Sequence, residues 1–119
     1  MKTASAKAKG RKLQQWVRDL LLSHAEHLEE GDIRSTSMGA GGEDIQFSPL
    51  ARKFWPLSIE CEANARIAAC RFMEQAESNC PEGAEPIVVL KENRGKPLVL
   101  VDAEYFFQLE ADNSDMVWG

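Results

Sequence analysis

Gly41-Gly42-Glu43-Asp44-Ile45 and, after a spacer, Ser58-Ile59-Glu60-Cys61-Glu62 are the two segments whose reading decides the fold. Read on to Phe47, the first alternates polar and apolar residues from Asp44, and the second alternates throughout, which is the mark of a strand with two different faces. As a strand from Glu43 to Phe47, the first puts Ile45 and Phe47 on one side and Asp44 and Gln46 on the other. As a strand from Leu57 to Cys61, the second sends Leu57, Ile59 and Cys61 inward and Ser58, Glu60 and Glu62 outward. The polar faces then match, and Asp44, Glu60 and Glu62 are expected to gather at one edge. Such oxygen donors suit a hard divalent cation, because magnesium is held by one or two carboxylates completed by water and substrate phosphate.

Working outward from these strands, the residues upstream predict a helix and a short strand. Leu13, Trp16, Val17, Leu20, Leu21 and Ala25 recur at three- and four-residue steps, giving an amphipathic helix through Leu28 that Gly31 stops. At that spacing Trp16 is expected to face the core. Ile33–Thr36 reads as a strand entering the loop Ser37-Met38-Gly39-Ala40-Gly41-Gly42, whose glycines permit a tight turn or a close approach to a ligand. No Gly-Lys-Ser/Thr follows, so this is not a Walker A loop.

Downstream, Ser48-Pro49 is a helix cap with a first-turn proline, and Pro56 ends that short helix, with Trp55 as a packing cap. A second helix is expected from Asn64 to about Ser78, then a strand Ile87–Leu90 that reads as fully buried. Asn93-Arg94-Gly95-Lys96 turns it into Leu98–Val101, and Asp102 caps a last helix. The sum is an α/β domain over residues 13–110, a central mixed β-sheet flanked by helices, with a flexible basic arm at 1–12 and a tail at 111–119.

Composition narrows the function classes. An apolar content of 44 % in 119 residues suits one globular domain. No apolar run approaches the ~20 residues of a membrane span, and the basic N-terminus lacks the apolar stretch of a signal peptide, so a cytoplasmic protein that avoids membranes is expected. Cys61, Cys70 and Cys80 have no Cys-x-x-Cys spacing and read as free thiols, and His24 and His27 lack further ligands for a zinc site. The net charge of −5 hides an asymmetry: Lys2, Lys7, Lys9, Arg11 and Lys12 precede any acid, leaving nine basic and nineteen acidic side chains beyond them. A basic arm on an acidic body can meet phosphates locally. Trp16 and Trp55 could stack on exposed bases, and Arg66 and Arg71 could reach a phosphate from the second helix.

Between Lys9 and Leu109 the chain resembles the PD-(D/E)xK nuclease superfamily, and within it the small Holliday-junction resolvases of archaea and their phage-encoded relatives. The segments that carry the resemblance are Lys9-Gly10-Arg11-Lys12-Leu13-Gln14, Ser37 to Ile45, Ile59-Glu60-Cys61-Glu62 and Glu74-Gln75-Ala76. The resemblance implies a restriction-endonuclease-like α-β-β-β-α-β core, with Asp44 and Glu60 binding magnesium or manganese beside a scissile phosphate. Gln14 stands where the helix usually offers Glu, and it is the third metal-site residue that the resemblance implies. Glu62 stands where the signature has Lys, and Lys91, then Lys53, are the lysines that could replace it. Lys9, Arg11, Lys12, Ser37 and Arg66 are the expected DNA contacts.

Three functions are therefore in competition. The first is a metal-dependent endonuclease on DNA, including branched DNA, acting as a homodimer whose two-fold symmetry suits paired nicks. The second is a catalytically silent DNA-binding protein of the same fold. The third is an acidic protein-interaction or regulatory module, which the net charge favours.

Overall fold

The computed structural model describes residues 4–36, 42–63 and 68–114. It is mixed helix and strand, with four α-helices and two antiparallel sheets of two strands each among the described residues. The chain divides into two compact units, Met1–Asn64 with Phe107–Gly119, and Ala65–Phe106.

The first unit opens with α1 (Ala4–Ser23), which starts earlier and ends sooner than its periodicity implies. The basic segment assigned to an arm is helical from Ala4 onward. At the other end Ser23 Oγ donates to the Leu20 carbonyl at 2.6 Å, and His24 and Ala25 close tighter turns onto Leu21 and Leu22. Glu26, Glu29 and Glu30 carry negative charge where the helix dipole disfavours it, so continuing to Leu28 as helix has little support. Ala25 and Leu28 are nevertheless buried.

The buried stripe of α1 is Gly10, Gln14, Val17 and Leu21. That spacing rotates Trp16 outward, and its 44 % exposure corrects the expectation of a core tryptophan. The helix packs on β1 (Ile33–Ser35), where Arg18 Nε–H also donates to the Ile33 carbonyl at 3.0 Å. β1 pairs with β2 (Ile45–Phe47) in the register Ile33↔Phe47, Arg34↔Gln46, Ser35↔Ile45. Asp32, at the end of the 3₁₀ turn Glu30–Asp32, fixes both ends of this hairpin's base. Its Oδ2 accepts from the Glu29 N–H at 2.9 Å and its Oδ1 from Ser48 Oγ–H at 2.7 Å.

Ser48 in turn caps α2 (Pro49–Phe54), accepting from the Ala51 N–H at 3.1 Å, as the Ser-Pro pair predicts. Trp55 follows it and is fully buried, with edge-on contacts to Phe54 at 4.9 Å and to Phe107 at 5.8 Å between ring centroids. These rings, with Leu21, Ile33 and Ile45, are the core of the unit, each large apolar side chain contributing ~1.5–3 kcal/mol on burial.

The second unit holds α3 (Ala69–Asn79), β3 (Ile87–Leu90) and β4 (Leu98–Val101), and the first residues of α4 (Ala103–Asp112). The expected hairpin forms with the register Ile87↔Val101 to Leu90↔Leu98, and the Asp102 carboxylate caps α4 by accepting from the Tyr105 N–H at 2.9 Å. Arg94 takes the left-handed conformation in the turn, at φ 62°. β3 is not the fully buried strand its apolar run suggests, since Ile87 and Val89 are exposed. Residues 64–67, where the second helix was expected to start, lie outside the described residues.

The two sheets are separate ladders, so a central flanked sheet does not appear among the described residues. Leu57–Cys61, expected as its third strand, runs beside the start of β2 without forming a ladder. Only one backbone bond joins them, Asp44 N–H to the Ile59 carbonyl at 3.3 Å. The next rung is taken by a side chain, because Asp44 Oδ2 accepts the Cys61 N–H at 2.7 Å. A short aspartate competing for a backbone donor in this way replaces strand pairing.

Candidate functional site

Asp44 is tied to its surroundings from three directions. Gly42, at φ +92°, delivers the chain into it through a backbone conformation that glycine adopts without strain. Its carbonyl accepts from Thr36 N–H at 3.0 Å and Thr36 Oγ1–H at 3.2 Å, extending the β1–β2 hairpin by one position. Its N–H and its carboxylate then bracket Glu60, by bonding to Ile59 and Cys61 on either side. The carboxylate is thus oriented by one oxygen.

The alternation foreseen for Leu57–Glu62 is realised although the ladder is not: Leu57, Ile59 and Cys61 are half-buried, and Ser58, Glu60 and Glu62 are exposed. Cys61 reports what surrounds it. Burial, and then the charges of Asp44 and Glu60, push its thiol up from 9.0 to about 11. Both carboxylates therefore act on one sulfur atom, and at neutral pH that sulfur is a neutral thiol rather than a soft anionic ligand.

A second cluster, unforeseen in the sequence, supports the first. The Arg52 guanidinium of α2 pairs with Glu43 at 2.6 Å, donates to the Leu57 carbonyl, and lies 4.8 Å from the Phe47 ring centroid. It thereby ties the residue before Asp44, strand β2 and the start of the Glu60 segment to one helix. The Arg52 hydrogen bond, with a second from Ser58, holds the Glu43 carboxyl below its ordinary range. Nothing in the local pattern signals this cluster; an arginine three residues into a capped helix reads as a solvated charge.

The remaining expected site residues are placed less closely. Gln14 is 3 % exposed in the core-facing stripe of α1. Lys9, Arg11 and Lys12 are exposed on the same helix, and Lys53 is exposed on α2. Lys91 belongs to the second unit, where it follows β3 and lines a groove of about 440 Å³ with Lys96 and Glu92. Ser37 and Arg66 lie outside the described residues. His27 is set against the Phe54 ring at 5.4 Å, and burial lowers its pKa despite the nearby Asp32, which fits a packed imidazole better than a ligand.

Among the described residues, no group of three or more His, Cys, Asp and Glu side chains is gathered closely enough to hold a metal ion. A pair of carboxylates is still the donor chemistry that magnesium uses when water and phosphate complete its shell. No helix among the described residues is long and apolar enough to cross a membrane. Comparison with known protein families, with curated proteins and with solved structures finds no match to this chain.

Proposed function

We propose that this chain is a metal-dependent endonuclease acting on DNA in the cytoplasm, with a fold related to the restriction-endonuclease-like core. The observation that supports the reading is the side-chain rung from the Cys61 N–H to Asp44 Oδ2, which ties the Asp44 carboxylate to the residue that follows Glu60. The order α1, β1, β2 and the extended Leu57–Cys61 segment supports the fold, and the exposed Lys9, Arg11 and Lys12 support DNA as the partner. A homodimer would supply the two matched sites that a branched substrate requires.

Asp44 and Glu60 are the residues that would hold magnesium or manganese. When bound, such a cation polarises a phosphoryl oxygen and favours ionisation of a bound water. The chain's own part is orientation: the Cys61 N–H fixes one Asp44 oxygen, and Arg52 holds the Glu43 carboxylate and the Leu57 carbonyl on either side. Glu62 has no positive charge to offer a phosphate. Its carboxylate oxygens could accept a proton from the attacking water instead.

Glu62 also favours a second reading, a catalytically silent DNA-binding protein. Incubating a labelled four-way junction, a flap and a plain duplex with magnesium or manganese separates the two. Cleavage by the native chain, abolished in Asp44→Ala and in Glu60→Ala and kept or raised in Glu62→Lys, supports the enzyme. If the native chain and Glu62→Lys both leave every substrate intact, the enzyme reading is lost, and a salt-dependent gel shift then tests DNA binding alone.

A further inference from the structure

The outward face of α1 carries a feature that the acidic site does not use. Lys9, Lys12 and Trp16 follow one another at three- and four-residue steps, so they form one stripe on the helix, turned away from the buried stripe of Gly10, Gln14, Val17 and Leu21. All three are exposed, and Trp16 keeps 44 % of its surface in water. Across Ala4–Ser23 the cations Lys7, Lys9, Arg11, Lys12 and Arg18 meet one acid, Asp19, in a chain whose net charge is −5. Arg18 and Asp19 are engaged with each other at 3.2 Å, which leaves the N-terminal half of the helix uniformly positive.

We infer that this stripe binds single-stranded DNA, with the Trp16 indole stacking on an unpaired base while Lys9 and Lys12 meet the flanking phosphates. The inference rests on the DNA reading above and sharpens its substrate class. Charge complementarity selects a polyanion. The indole selects among polyanions, since a base inside a duplex already has both faces covered by its neighbours, whereas an unpaired base offers a free π-face that a flat ring can cover. An aromatic ring beside two ammonium groups is the arrangement by which proteins hold single strands without reading their sequence.

Fluorescence anisotropy on the full chain bearing Glu60→Ala, without added metal, tests this with a labelled single strand and a blunt, hairpin-closed duplex. Trp16→Ala is expected to weaken single-strand binding by about 10-fold or more while moving duplex affinity by less than about 2-fold. Trp16→Phe should recover most of the loss, and Lys9→Ala with Lys12→Ala should weaken both substrates and lower the single-strand salt slope by ~1.4. Trp16 is solvent-exposed, so its loss is not expected to disturb the fold, which circular dichroism checks. No binding of the single strand, no effect of Trp16→Ala, or equal losses on both substrates overturns the inference. Cutting by the native chain with an indifferent Trp16 sinks this surface and leaves the nuclease standing; stacking without any cutting does the reverse.

Discussion

In the first unit Leu21, Ile33, Ile45 and Trp55 have no exposed surface, while in the second Val89 and Val99 stand 63 % and 59 % exposed, directly opposite one another across a hairpin. The difference does not come from the sheets. β1–β2 has three paired positions and β3–β4 has four, and β3–β4 is the more apolar. It comes from what closes over them. In the first unit α1 packs on β1 and α2 on β2, and Arg18 and Ser48 pin those elements to backbone and carboxylate groups by hydrogen bonds. In the second, α3 packs on both strands, yet no described residue from Ala68 to Phe106 is buried. A two-stranded hairpin is marginal in water, and apolar content becomes stability only where a second layer removes it from solvent.

The comparison breaks most visibly at Trp55. Trp55→Ala removes a fully buried ring that meets Phe54 and Phe107, and it should cost ~3–5 kcal/mol, a large share of the ~5–15 kcal/mol available to a domain. Urea denaturation followed by circular dichroism measures it. A cost below about 1 kcal/mol would mean that the aromatic cluster collapses without penalty and that the first unit is no better packed than the second.

A smaller effect follows from the carboxylates that pin the first unit. Asp32, through the Glu29 N–H and then the Ser48 hydroxyl, and Glu43, through Arg52 and then Ser58, have folded pKa values below their ordinary 3.8 and 4.5. The unfolded chain binds more protons than the folded one in that range, so both contributions are complete above the ordinary values and are lost as the pH falls through the folded ones. Midpoints of urea denaturation should therefore decline as the pH drops below about 4.5. Ser48→Ala removes the Asp32 Oδ1 donor and the α2 cap together, lowers stability at neutral pH by ~1 kcal/mol, and makes the acid decline shallower. An unchanged acid limb in Ser48→Ala would show that this hydrogen bond does not set the Asp32 proton affinity.

Much of this was legible in the residues, for reasons that are local. The Ser48-Pro49 cap, the Asp102 cap and the β3–β4 turn each depend on a few neighbouring positions, and each forms. The alternation of Leu57 to Glu62 is likewise seen in the exposures, because an extended backbone imposes it whether or not a ladder forms. What escaped depends on competition at a distance. The Asp44 carboxylate takes an N–H that a neighbouring strand would otherwise have paired, so the third strand loses its ladder, and no three of the acids gather among the described residues. Helical spacing set Trp16 on the core face of α1, whereas a buried stripe that runs through Gly10 and Gln14 turns it to solvent. The three contacts of Arg52 span residues 43 to 57, and no spacing rule reports them.

The smallest expected effect tests the comparison most sharply. Val→Thr keeps the shape of the side chain and exchanges a methyl for a hydroxyl, so its cost reports desolvation rather than a cavity. At Val17, 7 % exposed on the core face of α1, the hydroxyl must leave water, and the change should cost ~1–3 kcal/mol. At Val89 and Val99 the hydroxyl stays hydrated and threonine is as content in a strand as valine, so each change should fall within ~0.5 kcal/mol of zero. Equal costs at Val17 and Val89 would show that the hairpin face is covered in solution, and the contrast between the two units would then belong to the isolated chain alone.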